Sequence, residues 1–419
     1  MKKILFVTTR NIYPTNDGRK VVLYNYCKGL SKQLNCEVRL FIIDDFDEVD
    51  NEKIDFISRV YYGNRPNFIE KVKNLVIETF ILKKWPLQVS VYYSKRTQKE
   101  LDKVIYEYNP DVVICDMSRT AEYLKKLDES KYNKILDMDD LLSKRYKRQL
   151  ESNIISNNTI GSYAKKLPKL LRVLTYSSFV NKNILLKESR LLGRYELNIA
   201  DRYRSIIFVS PIEANEFNNI LNKNKCKSIT IGVDYNYFSK KVVLNKQENP
   251  TIVFLGNMNV AHNKDSVQYF LKDIFPNVLK EIPNCKFRIV GKCDNSYIDE
   301  MKKYDNVEVT GEVDDIRKYV QGCNVGMAVL LYGTGIKTKV LELMAMGIPV
   351  ITNDIGNEGI GLTNNKQVIL QNDTKSIIEK LIYLLQNKDA QELLGKEGQR
   401  FVKETHQWEK IIPKFDEIL

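Results

Sequence analysis

Gly333-Thr334-Gly335-Ile336-Lys337-Thr338-Lys339-Val340-Leu341-Glu342-Leu343-Met344-Ala345-Met346-Gly347-Ile348-Pro349-Val350-Ile351-Thr352 couples a glycine-rich turn to a helix start and then to a strand. Thr334 is expected to cap that helix. With Gly335 in the turn, the free N–H groups of the first helical turn and the positive end of its dipole suit a diphosphate. Lys337 and Lys339 add positive charge. Glu342, further into the helix, can point back into the same cleft and accept hydrogen bonds from paired hydroxyls such as those of a ribose. Gly347 and Pro349 end the helix, and the apolar, β-branched residues 348–352 read as a buried parallel strand. A helix-to-strand turn in any doubly wound domain would also fit this stretch, so its surroundings decide between the two readings.

The chain has 419 residues, enough for two domains that each bury a core. Hydrophobic residues at 43% and charged residues at 28% are a globular balance and exclude a disordered chain. The net charge of +12 favours an anionic partner, for which nucleotide diphosphates, anionic lipid and nucleic acid all qualify. The seven cysteines have no metal-type pairing, as expected of reduced thiols in a cytoplasmic protein. The N-terminal Met1-Lys2-Lys3-Ile4-Leu5-Phe6-Val7 begins like a signal peptide, but polar Arg10-Asn11 follows at once, and it reads as a first strand. No stretch approaches the roughly 18 uncharged apolar residues that span a bilayer.

Strand-like runs at 3–8, 37–43, 58–62, 111–115, 133–137 and 205–209 alternate with helical patterns, the signature of a parallel sheet covered on both faces. A second series occupies 251–255, 285–290, 307–310, 325–330, 348–352 and 367–370. The expected organisation is a first Rossmann-like domain over 1–239 with helical insertions, a polar linker at 240–250, a second Rossmann-like domain over 251–395, and a terminal helix at 396–419. Within the insertions, 163–192 interleaves leucines with Lys165, Lys166, Lys169, Arg172, Lys182 and Lys187. This basic amphipathic pattern suits either a packed surface helix or docking on an anionic membrane.

Three further groups stand at strand ends, where open α/β sheets hold ligands. Asn16-Asp17-Gly18-Arg19 follows the first strand, and Gly18 would let backbone approach a phosphate, although an Asp-Gly turn needs no ligand. Asp137, Asp139 and Asp140 cluster after another strand; such carboxylates repel, bind a cation or raise one another's pKa. One of them can act as base for an acceptor hydroxyl, or Asp139 or Asp140 can cap the helix from Leu141. Glu358 follows the strand after the Glu342 helix, and either helps to hold the donor or faces solvent. His262 and His406 are expected at the surface.

The opening stretch resembles the donor-binding block of GT-B glycosyltransferases of the family-4 type, in which a Leu-Glu-Ala-Met-Ala run precedes glycine and Pro-Val. Thr251-Ile-Val-Phe-Leu-Gly256-Asn257-Met258, Phe287-Arg-Ile-Val-Gly291-Lys292 and Val307-Glu-Val-Thr-Gly311-Glu312 are similar to the first units of that donor domain. In the family, backbone near the last glycine reads the base. Pro14-Thr-Asn-Asp17-Gly18-Arg19, Ile135-Leu-Asp137-Met-Asp139-Asp140 and Glu188-Ser-Arg190 resemble bacterial exopolysaccharide-associated sugar transferases.

The resemblance implies two Rossmann-like doubly wound domains facing a cleft, with a C-terminal helix crossing back to the first. It implies a hexosyltransferase-type enzyme that moves a sugar from a nucleotide-diphosphate sugar to a glycan or lipid-linked acceptor of a bacterial surface polysaccharide, with retention. Donor contacts fall to Gly18, Gly256, Asn257, Gly291, Gly311, Glu312, Thr334, Gly335, Lys337, Lys339, Glu342 and Glu358. Thr334 stands where many relatives have a first glutamate, and Asn257 and His262-Asn263 replace the usual loop Arg and Lys. Lys337 and Lys339 are the substitutes. No histidine precedes residue 262, so the catalytic candidates are Asp17, Asp139 and Asp140. Neither a metal nor another cofactor nor a nucleic acid is expected. The expected location is cytoplasmic, with peripheral membrane contact through 163–192. Two rivals remain: a nucleotide-sugar epimerase on the same fold, and a non-enzymatic basic binding protein.

Overall fold

A computed structural model describes residues 1–15, 18–43, 54–64, 66–151, 178–243 and 249–419. The chain divides into two compact units: Met1–Ile231 with Trp408–Leu419, and Gly232–Gln407.

The first unit carries a seven-stranded parallel sheet made of β1 (Lys3–Thr8), β2 (Glu37–Ile43), β3 (Arg59–Gly63), β4 (Val112–Asp116), β5 (Asn133–Asp139), β6 (Ser205–Phe208) and β7 (Cys226–Ser228). Their order is β3-β2-β1-β4-β5-β6-β7. β1 and β4 are apolar almost throughout because helices cover both faces of the sheet. The helix Lys95–Tyr108 shows how local chemistry sets the covering elements. Ser94 accepts hydrogen bonds from the N–H groups of Arg96 and Thr97, Asn109 closes the helix in the left-handed region at φ 47°, and Leu101, Val104, Ile105 and Tyr108 form the buried stripe. β7 is too short to show a hydrophobic pattern in sequence. The Asn218 side chain positions it, accepting from the N–H groups of Lys225 and Cys226 and donating to the Cys226 carbonyl.

The second unit repeats the design with β8 (Thr251–Leu255), β9 (Lys286–Val290), β10 (Val307–Val309), β11 (Val325–Ala328), β12 (Val350–Thr352) and β13 (Ile369–Leu370), ordered β10-β9-β8-β11-β12-β13 and parallel throughout. Its core centres on Phe270, with the Phe287 ring 4.4 Å and the Phe275 ring 5.5 Å away. In each sheet the chain builds outward from the first strand to one edge and then returns to the other side. The switch points therefore lie between β1 and β4 and between β8 and β11, where crevices open beyond the strand ends.

Two boundaries differ from expectation. The division falls at Ile231/Gly232, ahead of 240–250, because residues 232–242 are tied to the second unit. Arg317 donates to the Tyr237 carbonyl at 2.8 Å, and the Gln321 amide donates to the carbonyls of Phe238 and Lys240. There is also no single terminal helix over 396–419. The helix Lys388–Thr405 stays with the second unit, and the chain resumes as a short helix at Trp408–Ile411 and a 3-10 turn at Ile412–Glu417 in the first. There Trp408 and Phe415 pack edge-on against Tyr26, with ring centroids 6.0 and 4.9 Å away. A Cβ on Gly29 would stand 2.4 Å from Ile412, so this docking requires glycine. His406, expected at the surface, is buried at the break.

Candidate functional site

At the second switch point, Gly256 follows β8 and Gly291 follows β9, and the two backbones touch. A Cβ on Gly291 would lie 2.3 Å from the Gly256 carbonyl oxygen, and Gly291 has φ +137°. The Gly291 N–H donates to the Gly311 carbonyl at 3.3 Å, which brings the glycines after β8, β9 and β10 to one rim. Glu312 beside them is exposed and paired with Lys292 at 2.9 Å.

From the other side of the switch point, the loop after β11 is pinned to the end of β12, because Asn353 exchanges hydrogen bonds with both the N–H and the carbonyl of Leu330. Tyr332 then donates to Asp265 at 2.6 Å. The turn at 333–336 needs its glycines, with φ +148° at Gly333 and +68° at Gly335. The helix begins at Thr338 with Lys337 as its cap residue, so Thr334 does not cap it. Two positive-φ residues carry the backbone through an extra turn first, and Thr334 sits inside that turn. The N–H groups of Thr338 and Lys339 keep no backbone acceptor among the described residues, the arrangement that favours an anion.

The two lysines are placed differently. Lys337 folds back, its ammonium donating to the carbonyls of Thr334 and Gly335 at 2.7 and 2.5 Å, and so braces the turn. Lys339 reaches under the β8 loop. Its Nζ donates to Asn263 Oδ1, lies 4.3 Å from the Phe254 ring centre and is 3.2 Å from where a Gly256 Cβ would be. Asn263 in turn donates to the Asn257 carbonyl at 2.8 Å. The helix Thr338–Ala345 thus carries the Lys339 side chain to the loop that holds Asn257 and Asn263. Burial, and then Lys337, push the Lys339 ammonium down to about 7 against the pull of Glu342. Glu342, one turn on, is intermediate in exposure, and its backbone carbonyl accepts from the Met346 N–H at 3.1 Å. Burial pushes its carboxyl up to about 7 despite Lys339. Glu358 is buried where the short helix Asp354–Asn357 ends after β12.

In the first unit, Asp17 lies outside the described residues, and Gly18 opens the helix Gly18–Lys32. The next residue organises the switch point. Arg19 donates from Nε to Asp116 at 2.9 Å, from Nη2 to Asp137 at 2.6 Å and from Nη1 to Asp139 at 3.0 Å. Thr8, at the end of β1, donates to the other Asp116 oxygen at 2.9 Å. Against burial, Arg19, Arg10 and Arg119 hold the Asp116 carboxyl below its ordinary range, whereas burial pushes Asp137 up to about 6 and also raises Asp139. Asp139, at 19% side-chain exposure with φ 65°, is the member of the Arg19 cluster that meets solvent.

Asp140 departs from expectation. It is buried and engaged by Arg145, whereas Asp116, Asp137 and Asp139 are engaged by Arg19. Nor do Asp139 and Asp140 cap the following helix: Glu213 accepts from the Leu141 N–H at 3.4 Å and Glu196 from the Ser143 N–H at 3.3 Å. Asp116 is the residue that sequence reasoning missed. Its apolar strand hid it, and only the β1–β4 pairing brings it to Arg19. Of the basic stretch 163–192, residues 163–177 lie outside the described residues; Lys182 and Lys187 are exposed.

Residues 249–387 match the family model described as glycosyl transferases group 1. Over nearly its whole length the chain is similar to an uncharacterized 44.6 kDa protein in the cps region of Klebsiella pneumoniae, 23% identical over 98% of each chain. In three dimensions it is similar to HepE of Anabaena, solved in complex with UDP and glucose, with TM-score 0.65 and 12% identity over 100% of this chain and 99% of that one. It is also similar to WaaG, a glycosyltransferase involved in lipopolysaccharide biosynthesis, with TM-score 0.63 and 10% identity over 99% of each. These likenesses give two Rossmann-like units of the GT-B fold.

Proposed function

From a chain that carries a glycosyl transferases group 1 domain in a GT-B fold, we propose a glycosyltransferase that moves a sugar from a nucleotide-diphosphate sugar to a glycan or lipid-linked acceptor in bacterial surface-polysaccharide synthesis. The observation that carries this reading is geometric: at the β8/β11 switch point of the group 1 domain Lys339 reaches under the Gly256 loop to Asn263, with Glu342 one turn on, and burial displaces the ionisation of both. Misplaced ionisation of this kind is a mark of sites built for a ligand. The Anabaena neighbour was solved with UDP and glucose, and the Klebsiella relative lies in a cps region; both favour this donor class and setting.

In this reading the diphosphate rests at the start of the helix Thr338–Ala345 and beside Lys339. The neutral fraction of its amine takes up a proton as the anion arrives, and the ammonium so formed neutralises charge developing on the departing diphosphate. Glu342 accepts hydrogen bonds from the ribose hydroxyls, and Gly256, Gly291 and Gly311 let backbone come close to the nucleotide. Asp139 is assigned to the acceptor hydroxyl, with Arg19 fixing its position. Retention follows the family resemblance. The test is incubation with UDP-, GDP-, ADP- and CMP-sugars, following thermal stabilisation; a ligand at about 100 times its Kd adds about 2.7 kcal/mol. NMR of the donor alone separates transfer from epimerisation, since an epimerase alters the sugar without an acceptor.

A further inference from the structure

The helical segment Phe68–Ile81 of the first unit has an inner and an outer face of opposite use. Inward, Leu75 is buried with Val91 and Tyr92, and Thr79 shares a 2.7 Å hydrogen bond with Ser90. The Asn74 amide donates to the carbonyls of Ser90 and Tyr93. One position past the inward pair Leu75/Thr79, Val76 and Phe80 face out. Phe68, Ile69, Ile81 and Leu82 join them, with Ile69 75% and Phe80 58% exposed. So many large apolar side chains on one short element exceed the scattered exposure normal for a soluble surface.

Charge on the element is sorted as well. Glu70 turns inward, where its carboxylate accepts from the N–H of the cap residue Asn67 at 3.3 Å and from the Ser94 hydroxyl at 3.1 Å, whereas Lys73, Lys83 and Lys84 are exposed beside the apolar side chains. The segment is wound to end there. Residues Leu75–Ile81 widen into a π-helix, Lys83 takes φ +51°, and the Lys84 N–H returns to the Glu78 carbonyl, leaving Ile81 and Leu82 at a tip flanked by two lysines. No helix among the described residues is long and apolar enough to cross a membrane. An apolar face rimmed by lysines has the chemistry of an interfacial anchor, with side chains that enter the acyl boundary and cations that meet lipid phosphates.

We propose that the face formed by Phe68, Ile69, Val76, Phe80, Ile81 and Leu82, with Lys73, Lys83 and Lys84, docks the chain on an anionic phospholipid surface. The proposal does not rest on the glycosyl-transfer reading, and it is distinct from the basic stretch 163–192.

The test is co-sedimentation of the full chain with vesicles of phosphatidylcholine plus phosphatidylglycerol, and with phosphatidylcholine alone, at low and high salt. Wild type should bind the mixed vesicles, more weakly at high salt and far more weakly without phosphatidylglycerol. The triple variant Ile69→Ser/Phe80→Ser/Ile81→Ser should lose about tenfold or more in vesicle affinity, while keeping its melting temperature and nucleotide-sugar response. Brominated lipid should quench half-buried Trp85, beside the segment, more in wild type than in the triple variant. Three results would overturn the proposal: no wild-type sedimentation at low salt; equal sedimentation of the triple variant; or loss of binding only in the Lys165→Glu/Lys166→Glu/Lys169→Glu/Arg172→Glu variant, which would assign docking to the other stretch. Concentration-dependent self-association that the triple variant abolishes, without vesicle binding, would give the face to a second copy of the chain.

Discussion

Lys339 and Glu342 tie function to a cost in stability that can be read against pH. Glu342 ionises at about 7 in the folded chain, above the unfolded value near 4.5. Between those values the folded state holds a proton that the unfolded state has lost, so stability falls as pH rises from about 4.5 to about 7. Lys339 is depressed from 10.5 to about 7, and between those values the unfolded state holds the extra proton, so stability climbs again above about 7. Glu342→Gln should therefore raise the unfolding free energy at pH 7, by up to about 3 kcal/mol, and with it the thermal midpoint, and hardly change either near pH 4.5. Melting curves of both proteins across pH 4.5–8 check this; a gain as large at pH 4.5 as at pH 7 would remove the burial argument. A related outcome concerns the ligand. At pH 8 a diphosphate beside Lys339 should draw a proton onto it, so calorimetric heats of nucleotide binding should vary with buffer ionisation enthalpy, and that variation should vanish in Lys339→Met.

At the scale of elements, the close approach of the turns after β8 and β9 is the feature that a single methyl group would break. Gly291→Ala places a Cβ 2.3 Å from the Gly256 carbonyl in a backbone region that L-residues avoid. It should destabilise the second unit by about 1–3 kcal/mol, measured by denaturant unfolding, and weaken nucleotide binding more than Gly18→Ala, whose Cβ would meet nothing within 4 Å. The same scale shows what could be read in advance. β1, β2, β4, β5 and β8 appear in sequence as apolar runs because a parallel sheet covered on both faces needs continuous apolar strands. The helix of Glu342 was legible from its glycines and periodicity. Its start was not, since two left-handed residues move the cap from Thr334 to Lys337. Nor was the Arg19 cluster: Asp116 lies 97 residues from Arg19, and only strand order makes them neighbours. The outer face of 68–82 was hidden for another reason, because its apolar residues look like core until the fold shows that only Leu75 and Thr79 of Phe68–Ile81 are buried.

Across the whole molecule, the chain leaves the first unit and returns to it. Trp408, Ile411, Ile412 and Phe415 are buried there, and each fully buried side chain of this size contributes about 1.5–3 kcal/mol. Against a total stability of roughly 5–15 kcal/mol, a chain ending at Gln407 should lose most of the first unit's cooperative melting while the second unit keeps its own, as differential scanning calorimetry would show. The central claim is that the second unit holds a nucleotide-diphosphate sugar at Lys339 and Glu342. Titration calorimetry of wild type and Glu342→Ala with UDP-, GDP-, ADP- and CMP-sugars tests it most directly. At least one donor should bind wild type saturably and bind a folded Glu342→Ala about 10- to 150-fold more weakly, the loss of a charged hydrogen bond worth about 1.5–3 kcal/mol. Equal affinity in the two proteins, or no saturable binding of any donor to wild type, would contradict it.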